Sequence, residues 1–227
     1  VSQMLPCRSI VAFKSVGTHV AADALALGNL AGAHDQGGAV IISGEDPWCD
    51  STQVPADSRF LFEHLRMPVV EPGSAQELKD WVPISFKLSQ VAGLYIGYIV
   101  TVANADGGGS VECRPNHFPE LNTEHRVALD TASLPLEKSV LLPPRTWRRE
   151  LQMDERYAKT IRMARELGIN RSLGVSPLNH GREARAALGF ITTGLGRPYL
   201  EHVLHDLGLT GVFPILNMGM SFPIDTP

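Results

Sequence analysis

The stretch GGAVIISGEDPWCDSTQVPADSRFLFEHLRMPVVEP, residues 37–72, sets the fold class of this chain. Ala39-Val40-Ile41-Ile42-Ser43 is an unbroken apolar run that ends at Gly44. Such a run suits a parallel strand covered on both faces, because a strand with one wet face alternates polar and apolar residues. A polar loop follows, with Glu45, Asp46, Asp50, Ser51, Thr52 and Gln53. Asp57-Ser58-Arg59 then opens a helix over Ser58–Leu65, and Pro68-Val69-Val70 is a short second strand. Open α/β sheets collect ligands beyond the carboxyl ends of their strands. Function is therefore expected first in the loop from Gly44 to Gln53.

The flanks extend the same alternation. Ser9–Phe13 is predicted as a strand and Val20–Leu30 as a helix, with Gly28 inside it. Ser74 with Glu77 three places on is a capping-box pattern. Its helix runs toward Gln90, with Pro83 expected to bend or restart it. Leu94–Val102 is a strand that runs into the glycine-rich Asp106–Gly109. Strand and helix in alternation predict an α/β fold with a doubly wound parallel sheet. From Val111 to Pro144 no period is sustained and prolines interrupt, the pattern of a connector. A helix over Asp154–Leu167 carries Tyr157, Ile161, Ala164 and Leu167 on one face and stops at Gly168. Ala187–Thr193, Pro198–Leu207 and Val212–Leu216 then read as strand, helix and strand. The expected division is a first unit at 1–110, a connector with one helix at 111–184, and a last unit from 185 to 227.

Composition narrows the function classes. The chain has 227 residues, 44% of them hydrophobic, and a net charge of −4. That profile suits an ordinary globular protein and offers no basic excess for nucleic acid. No apolar run approaches the about 18 residues that cross a membrane, and Val1–Met4 lacks the features of a signal peptide. The three cysteines, Cys7, Cys49 and Cys113, have no metal or disulfide spacing and suit the reduced thiols of a cytoplasmic protein. Gly-x-Ser-x-Gly, His-Glu-x-x-His and P-loop motifs are absent, which removes local support for hydrolase and NTPase chemistry.

Within the loop, acids and hydroxyls can bond a ligand or a facing subunit; the alternative is plain solvation and capping by Asp57. His19, between the first strand and its helix, is a candidate for proton transfer, or an ordinary polar neighbour of a helix start. Asp106-Gly107-Gly108 reads as a turn rather than a metal site, for want of a suitably placed downstream Asn. His202 and His205 share a helix face but need further ligands to bind zinc. Gly194-Leu195-Gly196 before a helix is a weak phosphate-loop signal. No residue is assigned as catalytic or as a metal ligand.

The order Val16-Gly17, Val20-Ala21-Ala22-Asp23, Asp46-Pro47, Ser51-Thr52-Gln53, Asp57-Ser58-Arg59, Glu71-Pro72, Gln76-Glu77 and Lys79-Asp80 resembles the indolepyruvate:ferredoxin oxidoreductase α-subunit family. That family belongs to the thiamine-diphosphate-dependent 2-oxoacid:ferredoxin oxidoreductases. Near the end, Gly189–Gly194 and Gly219–Pro223 are similar to segments of its transketolase-C-terminal-like domain. Asp50 departs from the histidine common at its position. The resemblance implies a pyrimidine-binding-type α/β domain followed by the start of a transketolase-C-terminal-like domain, within a longer protein. It implies oxidative decarboxylation of an aryl 2-oxoacid to an acyl-CoA, CO₂ and reduced ferredoxin. Thiamine diphosphate, Mg²⁺ and [4Fe-4S] clusters would be the cofactors, with the metal and cluster sites outside this chain. Ferredoxin, CoA and further domains or subunits would be the partners, in a homo- or hetero-oligomer. The rivals are another thiamine-diphosphate enzyme of transketolase type and a non-catalytic interface module.

Overall fold

The computed structural model describes residues 6–118, 120, 132, 141–174 and 188–225. Parts of the expected connector, at 119, 121–131, 133–140 and 175–184, and the expected start of the last unit at 185 lie outside the described residues.

Four parallel strands form the main sheet: β1 (Arg8–Lys14), β2 (Gly38–Glu45), β3 (Val69–Val70) and β4 (Ile96–Thr101), in the order β1-β2-β4-β3. The period-two alternation of the strands sends successive side chains to opposite faces. Val40, Val70, Ile96 and Tyr98 pack with α4 (Ala75–Ala92) and α7 (Met153–Glu166) through Trp81, Phe86, Leu88 and Ala164. Ile41, Val69 and Ile99 pack on the other face with Leu25 of α2 (Ala22–Ala31) and Phe62 of α3 (Arg59–His64). Both faces are covered, which is why β2 lacks the polar alternation of a half-wet strand. Gly97 makes room on the second face, since a Cβ there would lie 2.6 Å from the Phe62 ring.

Several local expectations change in detail. The first helix divides into α1 (Ser15–Val20) and α2, broken at Ala21. α4 runs unbroken through Pro83, so the expected restart does not occur. Trp81, Ser85, Phe86 and Leu88, buried on either side, hold it against the sheet, and that packing outweighs the one backbone bond a proline removes. Its start is capped as expected, the Ser74 hydroxyl accepting from the Glu77 N–H at 3.2 Å. β4 ends at Thr101 because Thr101 and Asn104 form a capping box that begins α5 (Val102–Asp106).

The later residues build a second sheet from β5 (Asn170–Leu173), β6 (Phe190–Thr192) and β7 (Ile215–Met218), in the order β5-β7-β6. α8 (Gly196–Asp206) joins β6 to β7, and α6 (Arg145–Glu150) precedes α7. The chain then passes Gly219 and returns to the first sheet as β8 (Met220–Phe222), antiparallel to β3. Only glycine fits that passage: a Cβ would lie 2.4 Å from the Trp81 ring and 2.6 Å from the Ile169 side chain. Buried Glu77 ties the two sheets together, accepting from Arg171 at 2.9 Å and Arg197 at 3.0 Å. Among the described residues, no helix is long and apolar enough to cross a membrane.

Candidate functional site

β2 delivers Glu45 and Asp46 to the carboxyl edge of the sheet, with Glu45 opposite Thr101 of β4. Both side chains are buried, and their surroundings differ. One Asp46 oxygen accepts the Asp50 N–H at 2.8 Å. The other accepts the Ser51 N–H at 2.7 Å, the Ser51 hydroxyl at 3.2 Å and the Lys14 ammonium at 3.0 Å. The turn from Pro47 to Ser51 is thus wound around a carboxylate, with Cys49 at φ +62°. Burial works against the charge, but the Ser51 N–H, Lys14 and the Asp50 N–H outweigh it and hold the carboxyl well below the usual range.

Glu45 has far less support. One oxygen accepts the Ser58 N–H at 3.0 Å, and the other is buried without a partner. Burial raises its pKa, against the opposing pull of the Ser43 and Ser58 groups. A chain of buried hydroxyls runs beside it: Thr18 lies 2.9 Å from Ser43, and Ser43 donates to Ser58 at 3.0 Å. The Ser15 hydroxyl on the same helix as Thr18 is buried and unpartnered.

Next to this edge is a cavity of about 220 Å³ bordered by Arg59, Glu71, Thr101, Asn104, Thr193 and Gly194. Two Arg59 nitrogens lie 2.8 Å from one oxygen of buried Glu71, and Ser221 donates to the other oxygen. Burial lowers the Arg59 pKa, and the Glu71 carboxylate more than reverses that. The Thr193 hydroxyl is buried without a partner. The backbones meet closely here, since a Cβ on Gly73 would lie 2.3 Å from the Gly194 carbonyl oxygen. First sheet and second sheet therefore wall the cavity together.

The residues anticipated in the sequence separate into two groups. Glu45 and Asp46 are buried and Gly44 is half-buried, whereas Asp50, Ser51 and Gln53 are exposed. Thr52 is half-buried and donates to the Val54 carbonyl at 2.6 Å. Trp48 is 84% exposed. Its neighbours fold inward onto Asp46, and that leaves the indole outside. His19 is exposed on α1. Lys14, Thr18, Ser43, Arg59, Glu71 and Thr193 are the participants the sequence did not single out; the clue for Lys14 was a lone cation at a strand's carboxyl end. Among the described residues, no group of three or more His, Cys, Asp or Glu gathers to hold a metal ion.

No protein-family model matches the chain. Over 217 residues it is 30% identical to the indolepyruvate oxidoreductase subunit IorA of Archaeoglobus fulgidus, a match covering 96% of this chain and 32% of the relative. The chain is similar to IorA subunits. The IorA of Pyrococcus horikoshii is 29% identical over 219 residues, and that of Methanothermobacter marburgensis 27% over 222, again covering 32% of each relative. The chain spans about a third of the length of these IorA relatives. The resemblance seen in the motifs therefore extends over nearly the whole chain.

Proposed function

We propose that this chain is part of a cytoplasmic 2-oxoacid:ferredoxin oxidoreductase that decarboxylates an aryl 2-oxoacid, indolepyruvate or a close analogue, to an acyl-CoA, CO₂ and reduced ferredoxin. The observation that carries the reading is similarity to IorA over 96% of the chain, including the loop after β2. The main sheet would be of the pyrimidine-binding type, and the units 1–110, 111–184 and 185–227 would be its divisions. Thiamine diphosphate, bound, would supply a carbanion-stabilising centre. The described residues do not fit its Mg²⁺ or a [4Fe-4S] cluster, because no group of three or more His, Cys, Asp or Glu converges among them. Those groups would be held by other polypeptide.

What this chain would contribute is a shaped edge. Asp46, fixed by Lys14 and the Ser51 N–H, holds the loop so that Asp50 and Gln53 face outward. Glu45 beside it keeps a proton more readily than a free carboxyl. A second reading, an interface module without a catalytic role, is favoured by the exposure of Trp48, Val54 and Phe60 along the same segment.

Anaerobic assay of the intact assembly with indolepyruvate, CoA and ferredoxin tests the proposal. Reduced ferredoxin should appear, and replacing Asp50 or Gln53 by Ala should lower turnover about 10-fold. A folded, fully assembled protein that reduces no acceptor with any aryl 2-oxoacid contradicts the proposal. Unchanged turnover in both variants, with assembly lost on Trp48→Ala, gives the loop to the interface reading.

A further inference from the structure

Away from that edge, two guanidinium groups meet where α2 and α4 end. Arg156 of α7 is buried and donates to the Ala92 carbonyl at 3.0 Å and to the Gly93 carbonyl. Arg149 of α6 donates to the Ala31 carbonyl at 2.9 Å. Gly32, at φ +97°, lets the end of α2 close against Gly93; a Cβ there would lie 2.7 Å from an Arg156 nitrogen. Each arginine thus caps a helix end, which accounts for Arg156. It does not account for a second guanidinium so close to the first.

The charges do not balance. A helix C-terminus carries about half a negative charge, so two of them offset about one of the two guanidinium charges. Among the described residues, neither arginine meets a carboxylate. Lys159 nearby is engaged with Glu155 at 2.8 Å. Asp35, the remaining acid at the rim, points to water with its side chain 82% exposed and lies 3.0 Å from His34 Nδ1. Burial lowers the Arg156 pKa to about 10, helped by the field of Arg149. Arg149 is lowered as well, by burial and then by Arg145. Beside the pair is an open cavity of about 350 Å³ bordered by Arg149, Arg156, Lys159, Gln152, Gln90 and Asp35. At the roughly 30 Å³ a water occupies in the liquid, that space exceeds a single phosphate.

We propose that this cavity binds a phosphate-bearing anion, a diphosphate in preference to a monophosphate. Arg149 is the main ligand, because a planar guanidinium fork matches phosphate oxygens and only one of its five N–H groups is committed. Arg156 supplies field and Lys159 a rim contact. The site is independent of the activity proposed above.

Calorimetric titration of the intact protein with pyrophosphate, inorganic phosphate and acetate, at ionic strength fixed with NaCl, tests it. Saturable binding is expected, tightest for pyrophosphate and weakest for acetate. Arg149→Ala should weaken pyrophosphate at least about 10-fold, and Lys159→Ala about 2- to 3-fold. Should Arg149→Ala fail to fold, Arg149→Lys keeps the charge without the fork and should still weaken pyrophosphate. No saturation by pyrophosphate overturns the proposal. So does equal affinity in the Arg149 variants, which would leave the arginine as a helix clasp alone.

Discussion

Glu45 and Asp46 leave the same strand end with almost the same burial, 2% and 0% exposed, and the fold treats their charges in opposite ways. Around Asp46 stand two backbone N–H groups, a hydroxyl and an ammonium. Around Glu45 stands one N–H, and one oxygen has no partner. Donors therefore hold the Asp46 carboxyl below its ordinary pKa, whereas burial pushes the Glu45 carboxyl above its own. Burial alone does not decide ionisation; the number of donors aimed at the carboxyl does. For the molecule, one residue anchors a loop by charge, and the other is a buried carboxyl with one unpartnered oxygen beside it.

Breaking the Asp46 region should have the largest effect. Asp46→Asn removes the charge that Lys14 and the Ser51 N–H address, and should lower the melting temperature near neutral pH, which Glu45→Gln should not. A depressed folded pKa gives stability that is present above the ordinary value of 3.8 and lost as pH falls below it. Melts from pH 6 to pH 2 should therefore show an acid limb that Asp46→Asn flattens. Ser43→Ala comes next: it cuts the hydroxyl chain and leaves Thr18 and Ser58 short of a partner, a loss of about 1 kcal/mol in a denaturant titration. Lys14→Met should cost less than about 1 kcal/mol, because the ammonium is half exposed and the backbone donors to Asp46 remain. Raising the salt should shrink that difference.

The smallest effect sharpens the contrast by its sign. A raised folded pKa gives stability present below the ordinary 4.5 and lost as pH rises through the folded value. Glu45→Gln mimics the neutral acid, so it should match the parent near pH 4 and be the more stable of the two at pH 8. The gap should stay under about 1 kcal/mol. A variant less stable than the parent at pH 8 would mean that Glu45 is held as an anion after all.

The first sheet was legible because its strands announce themselves. Ala39–Ser43 and Leu94–Val102 are apolar runs that only a strand covered on both faces can use, and Ser74 with Glu77 and Gly168 marked helix ends through local chemistry. β5 and β8 were not legible. Asn170–Leu173 has three polar residues among its four, and Met220–Phe222 is a strand only because Gly219 threads between Trp81 and Ile169 to reach β3. Residues distant in sequence supply that information. The site shows the same division. Glu45 and Asp46 could be picked out as acids after a strand, but Lys14, Thr18, Arg59 and Glu71 join them only through the sheet register, and Trp48 is exposed because the turn spends its inward bonds on Asp46.

The claim that this strand end is a built site with divided charge is tested most directly by carbon-13 NMR titration of the two side-chain carboxyls in the intact protein. The Glu45 signal should titrate with a midpoint above 4.5, and Asp46 should remain ionised well below pH 3.8. Midpoints that both fall at the ordinary values would contradict it.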